Sequence, residues 1–261
     1  MRGDFLRSDR NTAACVRVQL EAARQLRETV DTLRFGAPVV RVYNPLSYAW
    51  DAFAAYVERY GAAPKRALFL GMNPGPWGMA QTGVPFGEVE AVRDWMRIEV
   101  PTGRPADEHP QYPVEGLSCR RSEVSGRRLW GLFRERFGTP EAFFSEHLVV
   151  NYCPLLFIAA SPRKGGAEGG RNLTPDKLSS DERQTLYAAC GAHLRAVVAA
   201  LRPRFLVGIG GFAEARARED LTGMDLEIVR ILHPSPASPL SNRDWPGTAA
   251  RQLVEAGVWK A

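Results

Sequence analysis

Four short apolar runs, each separated from the next by a helix-length segment, constrain this chain more than any other feature. They are Arg66-Ala67-Leu68-Phe69-Leu70-Gly71, His147-Leu148-Val149-Val150-Asn151, Arg204-Phe205-Leu206-Val207-Gly208-Ile209-Gly210 and Glu227-Ile228-Val229-Arg230-Ile231-Leu232. Runs this short, bounded by turn residues, suit strands buried on both faces. Helical segments over 126–137, 180–201 and 212–217 lie between or before them. The alternation predicts an α/β fold with a central, mostly parallel four-stranded sheet flanked by helices. Ahead of it, residues 12–35 place Ala14, Val18, Ala22, Leu26, Val30 and Leu33 at near-helical spacing, which predicts a long amphipathic helix. Further helices are expected over 47–60 and 242–256. No repeat, low-complexity tract or linker divides the chain. The expectation is one domain over residues 1–261 with an N-terminal helical layer.

A chain of 261 residues buries enough apolar surface to need no disulfide or metal for its core. No uncharged apolar run approaches the roughly 18 residues of a membrane span, so no membrane association is expected. Met1-Arg2-Gly3-Asp4-Phe5 lacks the apolar core of a secretory signal. The four cysteines, Cys15, Cys119, Cys153 and Cys190, are scattered, with no Cys-x-x-Cys pair. A reduced, cytoplasmic monomer without metal or cofactor is expected, nuclear if the source is eukaryotic. The net charge is +5, and only four of the 34 basic residues are lysines: Lys65, Lys164, Lys177 and Lys260. An arginine bias follows from a GC-rich genome as readily as from phosphate recognition, where the guanidinium grips two oxygens at once. The balance permits a nucleic-acid partner without requiring one.

Open parallel sheets bind ligands beyond the carboxyl ends of their strands. Three of the four runs lead there into unusual loops: Met72-Asn73-Pro74-Gly75-Pro76, Tyr152-Cys153-Pro154-Leu155 and His233-Pro234-Ser235-Pro236. One site built from three loops accounts for them together. The first loop, read over 71–89, holds five glycines and three prolines, which can fix a single irregular path. Asn73 suits either an Asx-turn or the holding of a water. Phe86 suits either the core or a stacking face. His233 and Asn151, each at a strand end, read alone as structural hydrogen-bonders. His109, His147 and His193 read as structural. Gly208-Ile209-Gly210-Gly211-Phe212-Ala213 matches G-x-G-x-x-A, but Glu227 opens the following strand, where a ribose-binding carboxylate belongs at its end. Close helix–strand packing is the better reading. Two basic stretches remain: 120–128, and Arg163, Lys164 and Arg171 beside the Asn151 run.

The loops together resemble the single-strand-selective monofunctional uracil-DNA glycosylases. The resemblance rests on 71–89, on Asn151-Tyr152-Cys153-Pro154-Leu155-Leu156-Phe157 resuming at Gly170-Arg171-Asn172-Leu173-Thr174-Pro175, and on His233-Pro234-Ser235-Pro236. Glu123-Val124-Ser125-Gly126-Arg127-Arg128-Leu129-Trp130-Gly131 also looks like the family, so similarity runs from about Tyr43 to Val258. It implies the uracil-DNA glycosylase fold and hydrolysis of the N-glycosidic bond of uracil in DNA, extending to 5-hydroxymethyluracil, with an abasic site as product. It further implies that Asn73 positions the attacking water and His233 hydrogen-bonds the leaving pyrimidine. Phe86 stacks on the base, Asn151 reads its polar edge, and Met72, Gly75 and Met79 surround it. Arg163, Lys164, Arg171, Ser235, Ser238 and Arg243 are the expected DNA contacts. The expected partner is single-stranded DNA, with double-stranded DNA as an extension, and no cofactor is implied.

Two departures stand out. Vertebrate members continue the His-Pro-Ser-Pro block with a wedge arginine, whereas Ala237-Ser238 follows here and Arg243 is the nearest substitute. The second block is interrupted by residues 158–169, a Gly-rich insert. Competing readings are a glycosylase for deaminated purines such as xanthine, a non-catalytic DNA-binding protein, and a nucleotide-binding enzyme using Gly208 to Ala213.

Overall fold

The protein is described from a computed structural model covering residues 2–162 and 169–261. The first helix, α1 (Arg2–Asp31), leads into strand β1 (Val39–Tyr43) and the short helices α2 (Pro45–Tyr48) and α3 (Trp50–Tyr60). The segment expected as one helix over 47–60 is thus two, starting earlier. Asn44 caps α2 by accepting the Leu46 N–H at 3.1 Å, Pro45 fills its first turn, and Ala49 leaves helical geometry between the two. Strand β2 (Ala67–Gly71) follows, then α4 (Met79–Thr82), α5 (Val124–Phe137), α6 (Pro140–Phe144) and β3 (His147–Asn151). Next come β4 (Leu156–Ser161), β5 (Gly169–Leu173), α7 (Ser180–Leu201), β6 (Phe205–Ile209), α8 (Gly211–Asp220), β7 (Glu227–Ile231) and α9 (Ser241–Glu255).

The four expected strands form one sheet in the order β3-β2-β6-β7, every neighbouring pair parallel. Every residue of β2 and β6 is buried, as their unbroken apolar runs require. The register sets Gly71 beside Asn151 and Ile209 beside Ile231, so the chain leaves β2, β3 and β7 along one edge of the sheet. Shared register therefore delivers the three unusual loops to one place.

A second, three-stranded antiparallel sheet, β1-β4-β5, was not expected. Its hairpin β4–β5 incorporates the ends of the Gly-rich insert: Ala159 pairs with Arg171 and Ser161 with Gly169. Leu156 to Ala159 are buried, and Phe35 packs edge-on against Phe157 with ring centroids 4.9 Å apart. The packing demand of this second sheet is what the apolar residues after Cys153 serve.

Helix α1 packs on α7 and α3, while α5 packs on α6 and α9. Helix α7 begins with a reciprocal cap in which Ser179 and Glu182 satisfy each other's backbone N–H groups. The seat of α5 is an aromatic cluster. Phe133 stacks on Phe143 at 4.2 Å and meets Phe69 of β2 edge-on at 5.0 Å, with Trp130 against both Phe133 and Phe143. These rings are almost completely buried, so α5 is held rigidly against the central strand. The close helix–strand packing expected at Gly208 is present: a Cβ there would lie 2.6 Å from the Glu214 nitrogen. Among the described residues, no helix is long and apolar enough to cross a membrane.

Candidate active site

A cavity of about 330 Å³ opens at the carboxyl edge of the parallel sheet. Met72, Asn73, Gly75, Met79 and Phe86 line it from the loop after β2, and His233 and Ser235 from the loop after β7. Six of the seven expected catalytic and base-binding residues therefore share one cavity. The seventh, Asn151, sits behind it. Its side chain is buried, and its Nδ2 donates to the Met79 sulfur at 3.3 Å, while its Oδ1 has no hydrogen-bond partner. A buried amide oxygen left unpaired is costly, so this atom is suited to accept a donor brought by a ligand.

Gly71 explains how Phe86 and Asn151 come together. A Cβ on Gly71 would fall 2.3 Å from Phe86 Cε2 and 2.5 Å from Asn151 Oδ1. The missing side chain lets an aromatic face and an unpaired amide oxygen converge above the end of β2. Phe86 is held there at φ 53°, a region that a bulky residue enters only under constraint. The constraint is visible: the Phe86 carbonyl accepts the Trp130 indole N–H at 3.0 Å, and a Cβ on Gly126 would lie 2.2 Å from the same oxygen.

Asn73 is half-buried, and its Nδ2 donates to the carbonyls of Leu155 at 3.1 Å and Pro74 at 3.3 Å. Those bonds fix the amide and leave Oδ1 to accept from a water or a ligand. The side chain is thus anchored through its nitrogen to two carbonyls rather than closing an Asx-turn through its oxygen. At His233 the Ser235 backbone N–H donates to Nδ1 at 3.0 Å. Burial lowers its pKa to about 4, so the ring is neutral at physiological pH. With Nδ1 accepting, the single proton resides on Nε2, leaving the ring as a neutral donor. Its ring centroid lies 6.4 Å from that of Phe86, with the planes inclined at 43°. Gly210, at φ 90°, gives the imidazole room, since a Cβ there would sit 3.1 Å from His233 Cβ.

Glu123, Ser125, Asn172 and Thr174 also line the cavity, and none was assigned a role from the sequence. Glu123 is the most consequential. Its carboxylate accepts the backbone N–H groups of Trp77 and Ser125, and burial raises its pKa. It fills the space beside Gly75, where a Cβ would fall 2.1 Å from Glu123 Oε2, and packs against Gly78. The two glycines exist so that this carboxylate can grip the loop. Asn172 and Arg171 are consecutive on β5, so their side chains take opposite faces, and Asn172 is the one that lines the cavity.

Of the expected DNA contacts, Ser235 lines the cavity, Arg171 and Arg243 are exposed, and Ser238 is half-exposed in the loop between β7 and α9. Arg163 and Lys164 lie outside the described residues. The loop carrying Ser235 and Ser238 is stapled by Ser241 Oγ to the His233 carbonyl and by Asn242 Nδ2 to the Pro236 carbonyl at 2.8 Å. The other histidines are structural. His147 Nδ1 donates to the Phe143 carbonyl at 3.0 Å, His109 Nδ1 accepts the Gln111 N–H at 3.1 Å, and His193, on α7, faces an apolar pocket that Phe53, Tyr56 and Val197 also line. Among the described residues, no cluster of His, Cys, Asp or Glu is arranged to hold a metal.

The profile of the uracil DNA glycosylase superfamily matches residues 58–254. The single-strand selective monofunctional uracil DNA glycosylase of Mus musculus is 47% identical over 241 residues, covering 92% of this chain and 84% of that protein. The corresponding protein of Rattus norvegicus is 48% identical with the same coverage. That of Bos taurus is 46% identical and 86% covered. The crystal structure of wild-type SMUG2 from Pedobacter heparinus superposes with a TM-score of 0.65 over 91% of this chain and 97% of that one, at 17% identity, which establishes likeness of fold.

Proposed function

The chain belongs to the uracil-DNA glycosylase superfamily, and on that premise we propose that it excises uracil from single-stranded DNA in the cavity between Asn73, Phe86 and His233. It is a monofunctional uracil-DNA glycosylase, a hydrolase of the N-glycosyl bond in DNA repair. The observation that carries the site assignment is the pairing of a neutral imidazole donor with an amide oxygen free for water.

The residues perform the reaction as follows. A uracil turned out of the stack enters the cavity and lies against the Phe86 ring, an interaction worth about 1–3 kcal/mol. The unpaired Oδ1 of Asn151 accepts the imide N–H of the base, which satisfies both groups at once. As the bond between base and C1′ lengthens, positive charge grows on the sugar and negative charge on the pyrimidine. His233 Nε2–H donates to that developing anion, a bond worth about 3–4 kcal/mol by analogy with oxyanion donors. Asn73 Oδ1 accepts one hydrogen of the water and aims its lone pair at C1′. An amide is too weak a base to take that proton before the carbon is cationic, so bond breaking leads and water capture follows. The new C1′–O bond replaces the C1′–N bond, the surplus proton passes to solvent, and the base departs. No lysine lines the cavity among the described residues, which accords with the monofunctional activity named for the relatives.

The test is release of free uracil from a uracil-bearing single-stranded oligonucleotide by the purified protein. The expected result is stoichiometric base release, with strand cleavage only after alkali. Release of no uracil, or strand scission without alkali, would contradict the assignment.

A further inference from the structure

Beside the cavity lies a pair of residues that the excision chemistry does not use. Arg121 places its guanidinium carbon 4.3 Å from the centroid of the Trp77 ring, and Trp77 in turn meets Tyr112 at 5.6 Å. Trp77 and Tyr112 are half-buried, whereas Arg121 is exposed. Both aromatic residues are tied to the cavity wall. Trp77 lies between Gly75 and Met79, and its backbone N–H is held by Glu123, two residues after Arg121. Tyr112 Oη donates to the Gly170 carbonyl at 3.0 Å, on the strand that carries Asn172 into the cavity.

The guanidinium itself is uncommitted. Two other arginines of the same stretch are spent on the protein: Arg127 donates to Ser122 Oγ, and Arg128 donates to the Pro234 carbonyl at 2.8 Å and Asn242 Oδ1 at 3.0 Å. No side-chain hydrogen bond or ion pair engages Arg121 among the described residues. An arginine held over an indole gives up side-chain freedom before any ligand arrives, while its N–H groups stay available. Planar donors of this kind match a phosphodiester, and aromatic–arginine ladders next to a binding groove are how single strands are held without regard to sequence.

We propose that Trp77 and Arg121 form a subsite for the nucleotide flanking the excised base, with Arg121 binding its phosphodiester and the Trp77–Tyr112 pair setting the height of the guanidinium. The inference rests on the glycosylase reading and deepens it, because it assigns a strand-holding contact distinct from Ser235 and Ser238. It also gives a role to part of the basic stretch over 120–128.

The experiment compares the wild type with Arg121→Gln, Arg121→Lys and Arg204→Gln on a uracil-bearing single strand across a salt series. Arg204 lies at the opposite end of the sheet, paired with Glu227, and controls for the change in net charge. For Arg121→Gln, KM is expected to rise roughly fivefold at low salt with kcat within about twofold, and the slope of log affinity against log salt to flatten by about 0.7. Arg121→Lys should fall between, because an ammonium keeps the charge without the planar stack. Wild-type KM and salt slope in Arg121→Gln, or an equal change in Arg204→Gln, would overturn the subsite while leaving the glycosylase reading intact. Absence of uracil release by the wild type would remove both.

Discussion

At the scale of the residue, the site depends on two atoms that are absent and one proton that is misplaced by ordinary standards. The missing Cβ atoms are those of Gly71 and Gly75, whose positions are taken by Phe86 with Asn151 and by Glu123 respectively. Gly71→Ala must push the Phe86 ring or the Asn151 amide aside, since contacts of 2.3 and 2.5 Å are not tolerated. We expect that variant to lose roughly 10²-fold or more in kcat/KM for uracil release while retaining a native circular-dichroism spectrum. Near-wild-type excision would show that the convergence above Gly71 is not used. The proton is that of His233. Burial holds its pKa at about 4 rather than near 6.5, and protonating Nδ1 would abolish the bond from the Ser235 N–H. Activity limited by His233 should therefore stay level from pH 8 down to about 5 and fall only as pH approaches 4. A pH–rate profile with its inflection near 6.5 would contradict a neutral, buried imidazole.

At the scale of the element, α5 and the residues just before it organise the site. Glu123 grips the loop at Trp77, Gly126 and Trp130 hold the Phe86 backbone, and Arg128 ties the His233 loop through the Pro234 carbonyl and Asn242. One helix, seated by its aromatic face on β2, thus sets the relative positions of the loops after β2 and β7. Arg128→Ala releases only the last of these, so it should lower kcat for uracil release roughly tenfold with little change in Tm. A kcat equal to wild type would mean that the staples from Ser241 and Asn242 suffice. This organisation was only partly legible in the sequence. The apolar runs of β2, β3 and β6 announce themselves because strands buried on both faces have little polar alternation to confuse, whereas β7 is an edge strand with Glu227 and Arg230 exposed, legible from its Ile and Val residues. Strand β4 carries the same kind of run, but it follows Pro154 inside a stretch that otherwise looks like loop, and its partners β1 and β5 have polar residues. Asn73, Phe86 and His233 stand in unusual loops, but read alone each suits a structural role, and it is the resemblance to the glycosylases that singles them out. Glu123 is not singled out, because a lone glutamate before a helix is usually solvated, and only the three-dimensional approach of Gly75 and Gly78 reveals its burial.

At the scale of the whole molecule, burial of histidines couples stability to pH. His147, His193 and His233 each have their pKa lowered to about 4, mainly by burial, whereas in an unfolded chain they titrate near 6.5. Between those values the unfolded state binds more protons, so stability rises with pH and is lost as pH falls from 6.5 toward 4. Tm should fall steadily over that interval, and His193→Gln should make the fall shallower without altering excision. A Tm independent of pH between 6.5 and 4.5 would contradict the buried, neutral state of these rings.

In the proposed mechanism one cavity supplies a water held by Asn73 and a neutral hydrogen bond from His233 to the same bond-breaking event. Single-turnover uracil release from a single-stranded oligonucleotide by the wild type, Asn73→Ala and His233→Ala, with DNA affinity measured alongside, tests it most directly. The predicted result is a loss of roughly 10²–10³-fold in the chemical step for each variant, with binding to the strand preserved. Full release by either variant, or loss of activity that merely tracks loss of binding, would contradict it.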